Sequence, residues 1–510
     1  MNLSKFDFVC EKAREAMLLQ TVADTLEWDE RTGMPLGGGE YRARQVSYLR
    51  GKIHDLRTDA AYGEALKQLD QDMVSDAPSS TTEQIATIRG LLRNWKRDAR
   101  LPSELVEQIS TATVVGQQRW DAARKANDFS MFRDALDEVV RLKREAGQRI
   151  AEGTDRSVYE ALLDEYEPDA RVESLNRMFR DLRKPLVELI EEVRGATKQP
   201  DRSLLTRHYP IPLQQSFSHR VAEAIGFDFN RGRLDETSHP FCTTLGPSDC
   251  RILSRYDEAW LPAGLFAAMH EAGHGMYEQG LRTDWFGLPP GSYCSLGIHE
   301  SQSRLWENQV GRGHAFWQWL FDDTKAHFAP VLDDVKREDL HFAMNQIEPS
   351  LIRVEADEAT YNLHIIIRFD LEQQLIDGSL AIDDLPAAWN DRYESDLGIR
   401  PQSDAQGVLQ DVHWSAGLIG YFPTYTIGNL ASAQLYDAAA LDIGDLELEI
   451  SRGNFQPLLE WLGKHVHSRG QCESGDDIVK NATGKPLEAT HLINYLRTKL
   501  RRLYGTEAND

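Results

Sequence analysis

The stretch Leu261-Pro-Ala-Gly-Leu-Phe-Ala-Ala-Met-His-Glu-Ala-Gly-His274 decides how the rest of the chain is interpreted. Pro262 and Gly264 suit the first turn of a helix. On a helix, His270 and His274 lie four positions apart, so both imidazoles leave the same face, one turn apart. Two neutral ring nitrogens at this spacing can bind one zinc ion. The stretch therefore predicts a helix that carries two metal ligands.

Glu271 follows His270 directly, and helical geometry turns it about 100° around the axis from that histidine. It therefore lies beside the metal rather than in line with the two ligands. A base that takes a proton from the hydrolytic water belongs in this position. Glu271 is the predicted general base.

A catalytic zinc ion takes three protein ligands and keeps one position open, so a third ligand is needed. After His274 no third histidine follows at short spacing. Residues 298–308 predict the start of a second helix, entered from a loop at 289–291, and Glu300 in this helix is the predicted third ligand. The rival residues for this role are His299, Glu307 and Glu278.

Helical periodicity dominates the rest of the sequence, because apolar residues recur at three- and four-residue spacing. The clearest stretches are 85–95, 132–140, 178–190 and 492–500. Strand-like alternation is scarce, and the best candidate for a small sheet is roughly 225–257. Breaks are predicted at 76–81 and 470–484, among others. Without a long linker or a fixed-period repeat, the sequence predicts a mainly α-helical fold in which residues 1–510 form one catalytic unit.

Composition argues against several kinds of partner. The formal net charge is −24 at pH 7, which disfavours nucleic acid and anionic lipid, because both attract basic surfaces. Asp7, Glu11 and Glu15 lie where a signal peptide would be apolar, and no apolar run is long enough to cross a bilayer. The five scattered cysteines are typical of a reduced chain. We therefore expect a cytoplasmic protein that binds neither nucleic acid nor membrane.

Several motifs resemble those of one family, the thermostable carboxypeptidase Taq-type zinc metallocarboxypeptidases. They occur in order along almost the whole chain. They are residues 28–38 with Arg42 and Gln45, then 239–241, 352–357, 407–414, 420–425 and 482–486. In one departure, the family pattern Asp-x-Arg-x-Thr appears as Asp249-Cys-Arg-Ile-Leu253, with leucine where threonine is usual.

The resemblance implies a large, saddle-like helical metallopeptidase fold with a deep groove and a small β element near the active site. It also implies a homodimer. The expected activity is removal of single C-terminal residues from peptides with a free C-terminus, with broad specificity and poor action on proline. Zinc is the expected metal, and cobalt often substitutes in such enzymes.

The resemblance also points to an arginine that binds the substrate's α-carboxylate, because a planar guanidinium can donate two parallel hydrogen bonds to it. Arg353 is the predicted residue. Its alternative role is an intrahelical ion pair with Asp357, four positions further on.

Four other residues are predicted to line the site. Tyr421, with Tyr425 one turn on if the segment is helical, is the predicted oxyanion donor, the alternative being a core aromatic. His239 and His413 either hydrogen-bond the peptide or are structural. Arg251 either pairs with Asp249 or closes the far end of the groove.

Two rival functions remain at this point. A zinc oligopeptidase that cuts internally would be insensitive to C-terminal amidation, because it does not need the carboxylate. A helical scaffold with an incidental or relict metal motif would bind zinc without peptide turnover, and the intact Glu271 argues against a relict.

Overall fold

A computed structural model describes residues 2–75 and 80–506, without the side chains of 74 and 75. The helices in these residues are α1 Leu3–Thr32, α2 Gly39–Arg57, α3 Ala60–Ser75, α4 Thr82–Asp98, α5 Ser103–Ala126, α6 Ser130–Ala151, α7 Val158–Leu163, α8 Val172–Arg194, α9 Ile211–Ile225, α10 Leu261–Gly280, α11 Leu296–Arg304, α12 His314–His327, α13 Arg337–Met344, α14 Thr360–Asp377, α15 Leu385–Leu397, α16 Pro423–Ile443, α17 Leu446–Ser451, α18 Gln456–His465, α19 Gly475–Thr483 and α20 Thr490–Tyr504. The strands are β1 Gly232–Glu236, β2 Phe241–Gly246 and β3 Asp249–Ser254.

The predicted mainly α-helical fold is confirmed. The four periodic stretches lie in α4, α6, α8 and α20, and each turns its apolar residues into the core. Helix α4 begins with a capping box, in which Thr81 and Gln84 each bond the other's backbone N–H. Part of the break predicted before this helix, residues 76–79, lies outside the described residues.

The small sheet predicted at 225–257 is also confirmed, at 232–254. Strand β3 lies in the centre, parallel to β1 and antiparallel to β2. Its buried residues Cys250 and Ile252 belong to the same core as α10. A Cβ on Gly275 of α10 would lie 3.1 Å from Ile252, so the glycine lets the sheet approach the predicted metal helix closely. Leu253, the departure from the family pattern, is fully buried in β3.

The break predicted at 470–484 is wrong in its second half, where α19 forms. The Ser474 hydroxyl accepts a hydrogen bond from the Asp477 backbone N–H at the start of this helix. Asp476 and Asp477 add negative charge to its first turn, which the helix dipole favours. The same Gly, Ser and Asp residues that resemble a loop in composition therefore start a helix.

Helix α11 packs closely against α10 on one side and α16 on the other. A Cβ on Gly273 of α10 would lie 2.6 Å from the carbonyl oxygen of Gln302, and a Cβ on Gly428 of α16 would lie 2.5 Å from the Cγ of Glu300. Only glycine permits these two approaches without displacing the α11 backbone or its glutamate.

Most of the buried apolar side chains form two large clusters. One contains α10 and α12, and the other contains α8 and α14. Helix α16 contributes to both, with Leu435 in the first cluster and Leu430 in the second. Within the described part of the chain, no helix has both the length and the apolar character needed to cross a membrane.

Candidate metal centre

Helices α10 and α11 bring the three predicted metal ligands together. The His270 Nε2 lies 3.6 Å from the Glu300 Oε2, and the His274 Nε2 lies 3.4 Å from the same oxygen. One ligand atom from each residue lies within 4.8 Å of the others. In the described residues, no other group of three or more His, Cys, Asp or Glu side chains meets this criterion.

The ring of His270 is oriented by Glu307. Its Nδ1–H donates to the Glu307 Oε2 at 2.9 Å. Because a carboxylate only accepts, this bond places the ring proton on Nδ1 and leaves the Nε2 lone pair free. Histidines that bind metals are usually oriented in this way. Glu307, a rival for the third ligand, therefore contacts a ligand histidine instead.

The other two rivals for the third ligand, His299 and Glu278, orient His274. The His274 Nδ1–H lies 3.1 Å from the carbonyl oxygen of His299 and 2.6 Å from its ring Nδ1. The His299 Nε2–H in turn donates to the Glu278 Oε1 at 2.8 Å. Glu278 also accepts from the Thr244 hydroxyl of β2 at 2.9 Å. These bonds leave the His274 Nε2 free, and they connect the His274 ring to the sheet.

Arg304 supplies positive charge to the centre. Its Nε donates to the Glu300 Oε1 at 2.7 Å, and its Nη1 donates to the Glu307 Oε2 at 3.2 Å. Burial alone would raise the pKa of Glu300, but Arg304 and the two histidines hold it well below its usual value. Burial also opposes ionisation of Glu307, whose pKa Arg304 and His270 nonetheless lower to about 2. Both carboxylates are therefore ionised at neutral pH.

Glu271 lies in the same centre but has an unpaired oxygen. It is buried, at 5% exposure, and its Oε2 has no hydrogen-bond partner in the described residues. Burial raises the pKa of this carboxyl to about 7. An unpaired buried carboxylate is unfavourable unless a polar group reaches it. Glu271 can therefore hold or release a proton near neutral pH.

A short π-helix continues α11 over Leu305–Val310 and carries Glu307. This wider turn changes the direction in which the residues after Arg304 leave the axis. The sequence predicted a helix at 298–308, which is confirmed, but no sequence pattern indicated its change of winding.

Arg353 lies in a second buried charged cluster. Its Nε and Nη2 bind the Asp411 Oδ1 at 2.9 and 2.8 Å, and its Nη1 donates to the Tyr361 hydroxyl at 2.9 Å. Arg368 binds the other oxygen of Asp411, with its Nε at 2.6 Å. Burial would raise the pKa of Asp411, but the two guanidiniums hold it far below its usual value.

The alternative role of Arg353, an intrahelical pair with Asp357, is wrong. Arg353 lies in a 3₁₀ turn, Arg353–Glu355, before α14 begins. The Asp357 carboxylate instead accepts from the backbone N–H groups of Ala359 and Thr360 at the start of that helix.

Tyr361 links the two charged clusters. The guanidinium of Arg304 lies over its ring, 4.4 Å from the centroid, while its hydroxyl accepts from Arg353. Arg353 therefore lies near the end of α11 that carries Arg304.

Tyr421 lies just before α16, so the helix that was a condition for Tyr425 begins only at Pro423. The two rings still meet, with centroids 5.4 Å apart. Burial, followed by Glu300 and Tyr293, raises the pKa of the Tyr421 phenol, so the phenol keeps its proton.

His413 packs beside these tyrosines, 5.5 Å from the Tyr421 ring. Its Nε2 lies 3.2 Å from the Tyr425 hydroxyl. Its Nδ1 has no hydrogen-bond partner in the described residues, and the Asp411 Oδ1 lies 3.8 Å from it. Burial and the nearby Arg353 lower its pKa to about 3, so His413 is neutral.

The last two predicted residues lie on the small sheet and its first loop. His239 is exposed in the β1–β2 loop. Arg251 on β3 pairs with Asp249 through two bonds of 2.9 Å and lies over the Trp28 ring, 4.1 Å from its centroid. Of its two predicted roles, the pairing with Asp249 is confirmed.

Sequence reasoning missed Asp411 as the partner of Arg353, Arg368 as the second arginine on Asp411, and Arg304 as a partner of Glu300. Arg304 follows Glu300 by four positions, a spacing that predicts an ion pair on a helix. Asp411 lies within the quoted motif 407–414, but nothing in the sequence paired it with Arg353.

Comparison with known proteins agrees with this geometry. A model of the Carboxypeptidase Taq (M32) metallopeptidase family matches residues 8–500. The chain is 41% identical over 507 residues to thermostable carboxypeptidase 1 of Thermus thermophilus, covering 97% of this chain and 98% of that protein. It is 35% identical to carboxypeptidase 1 of Bacillus subtilis, covering 94% of each.

A solved structure gives the same result for the fold. The crystal structure of an M32 carboxypeptidase from Deinococcus radiodurans R1 matches with a TM-score of 0.94 and 38% identity, covering 98% of this chain and all of that one. The chain therefore belongs to the Carboxypeptidase Taq (M32) metallopeptidase family and is a metallocarboxypeptidase that uses a divalent metal.

Proposed function

We propose that this chain is a zinc-dependent carboxypeptidase that removes single C-terminal residues from peptides, with broad specificity and poor action on proline. The observation that carries the proposal is the convergence of two imidazole nitrogens, one carboxylate oxygen and the unpaired Glu271 oxygen in one buried centre. Two histidines and one glutamate are a common ligand set of catalytic zinc. Cobalt, which prefers similar ligands, is expected to substitute.

The metal ligands are His270, His274 and Glu300. Both histidines have their Nδ1 proton held by a neighbour, so their Nε2 lone pairs are free to bind. When bound there, the divalent ion lowers the pKa of water and polarises the scissile carbonyl.

Glu271 acts as the general base. Its unpaired Oε2 takes a proton from the attacking water. The same carboxyl then delivers that proton to the leaving amine nitrogen. The carbon–nitrogen bond breaks in this step.

Tyr421 stabilises the developing oxyanion. Its phenol is held near Glu300 and stays protonated, as a hydrogen-bond donor must. His413 offers its unpaired Nδ1 to the peptide.

Arg353 binds the substrate's terminal carboxylate. Three of its five N–H groups contact Asp411 and Tyr361, which leaves one on Nη1 and one on Nη2. Such a pair can donate to both oxygens of a carboxylate. Arg353 is only 5% exposed, so substrate entry requires the groove to open. Roles for His239 and Arg251 in substrate binding remain predictions.

The proposal includes three further properties. A single catalytic unit over 1–510 is supported by α16, which packs into both core clusters. A cytoplasmic location is supported by five free cysteines. The homodimer rests on the family alone.

The test is a time course by mass spectrometry on one N-blocked peptide and its C-terminally amidated twin, with and without a chelator. We expect a chelator-sensitive ladder that loses single C-terminal residues, much more slowly from the amidated twin. Equal internal cleavage of both peptides would favour an oligopeptidase. No cleavage by zinc- or cobalt-loaded protein would favour a scaffold.

A further inference from the structure

Tyr293 is an exposed aromatic residue held in place at the edge of the metal centre. Its side chain is 39% exposed, and the other exposed aromatics of the described residues, Tyr41 and Tyr48, both lie on α2. The backbone around it is fixed: Gln471 donates to its carbonyl oxygen at 3.1 Å, and Cys294 beside it is buried. A fixed backbone with an exposed ring is a low-entropy contact surface.

The ring of Tyr293 lies against the histidines of the metal centre. It meets His299 edge-to-face, with centroids 4.9 Å apart, and His299 lies 4.6 Å from the His274 ring. Tyr293 also contributes to the raised pKa of the Tyr421 phenol, after burial and Glu300. Tyr293 therefore lies near the proposed oxyanion donor.

Tyr293 and Arg353 lie at opposite ends of α11. Tyr293 comes just before the helix begins. Arg353 bonds Tyr361, whose ring is covered by Arg304, the last residue of the helix. Eight helical steps separate the first and last residues of α11, a distance of about 12 Å. Glu300 lies between them. A peptide whose carboxylate is held by Arg353 therefore passes the metal ligands and continues towards Tyr293.

We propose that Tyr293 forms the wall of the subsite for the residue on the N-terminal side of the scissile bond, and that it favours aromatic side chains there. This inference rests on the proposed carboxypeptidase function. An extended peptide advances about 3.5 Å per residue, so the penultimate residue is the one that an aromatic ring beyond the metal ligands can contact. Edge or offset stacking on Tyr293 then favours an aromatic penultimate residue.

The test compares two N-blocked peptides that differ only at the penultimate residue, phenylalanine in one and alanine in the other. For the zinc-loaded wild type we expect a higher kcat/KM with phenylalanine. Tyr293→Ala should lower the phenylalanine-to-alanine ratio about tenfold, mainly through KM. Tyr293→Phe keeps the ring and should keep the ratio. Tyr48→Ala removes an exposed tyrosine far along the chain on α2 and is the matched control.

A second measurement separates substrate contact from support of His299. Calorimetric binding of the same two peptides to the inactive Glu271→Gln protein should show the same loss of discrimination in the Tyr293→Ala background. An unchanged ratio would overturn the proposal, as would an equal loss for both peptides. Failure of the wild type to cleave any peptide would instead refute the proposed function.

Discussion

The metal centre and the arginine cluster are both buried and charged, yet they are built differently. The proposed metal ligands come from α10 and α11, and helical spacing places the two histidines on one face of α10. The arginine cluster joins a 3₁₀ turn, helix α14 and the loop before α16, and its central residue Asp411 is 58 positions from Arg353. In the proposed function, the first region performs the chemistry on any peptide, whereas the second selects peptides with a free end. Variants in the two regions should therefore have different dependence on the substrate's C-terminus.

The largest effect is expected for Glu271→Gln. Removing the general base should lower kcat by about 10²–10⁴-fold, and by the same factor for a free peptide and its amidated twin. Metal content, measured by atomic emission after dialysis, should stay at the wild-type value. A variant that keeps its activity would show that another group takes the proton.

Arg353→Ala should lower kcat/KM for free-ended peptides by about 10²-fold or more, because two charge-assisted hydrogen bonds are lost. Cleavage of the amidated twin should change little, and metal content should not change. Arg133→Ala is the control, since this exposed arginine pairs with Asp383 at the surface. An equal loss for the free and amidated peptides would remove the functional difference between the two regions.

Glu307→Gln should weaken metal binding about 10- to 100-fold, because the His270 Nδ1–H loses its carboxylate partner. Glu278→Gln should have a smaller effect, since Glu278 reaches His274 only through His299. Competition with a fluorescent zinc chelator measures both affinities. The reverse order would mean that the connection to the sheet matters more than the π-helix.

The smallest effect is expected on the pH dependence of stability. It concerns two buried carboxyls, one beside each region. Glu167 contacts the start of α11 and accepts from Gly297. Glu372 accepts from Trp414 at 2.9 Å and from the Gly420 backbone at 3.0 Å, which fixes the loop that carries Asp411 and His413. Burial raises the pKa of Glu167 to about 8 and that of Glu372 to about 7.

A carboxyl whose pKa is higher in the folded protein binds its proton more tightly there, so its contribution to stability falls as pH rises from about 4.5 through these values. Glu167→Gln should therefore gain stability relative to the wild type between pH 5 and pH 9. Glu372→Gln should gain less. Urea unfolding at both pH values measures this, and Glu192→Gln is the control, because Arg501 lowers the pKa of Glu192 and the gain should be absent. Equal pH dependence of wild type and both variants would contradict the assigned ionisation.

The same contrast explains what could be predicted from the sequence. Helix α10, the candidate ligand Glu300 and the small sheet depend on patterns in neighbouring stretches of the chain, and periodicity or spacing reveals such patterns. The partner of Arg353 could not be predicted this way, because Asp357 was nearer in sequence while Asp411 is nearer in space. Helix α19 was missed because its capping residues are also those of loops. The π-helix at 305–310 depends on packing against neighbouring elements, which no local pattern records.

Gly273 and Gly428 have a consequence for thermal adaptation. Glycine in a helix costs about 0.5–1 kcal/mol relative to alanine, so replacement by alanine is a common route to heat resistance. Here that route is closed at both positions, because an added methyl group would press on the α11 backbone or on Glu300 itself. Selection or engineering for a higher melting temperature must therefore act elsewhere in this chain. The close contact between α11 and its two neighbouring helices requires glycine at both positions, despite its lower helix propensity.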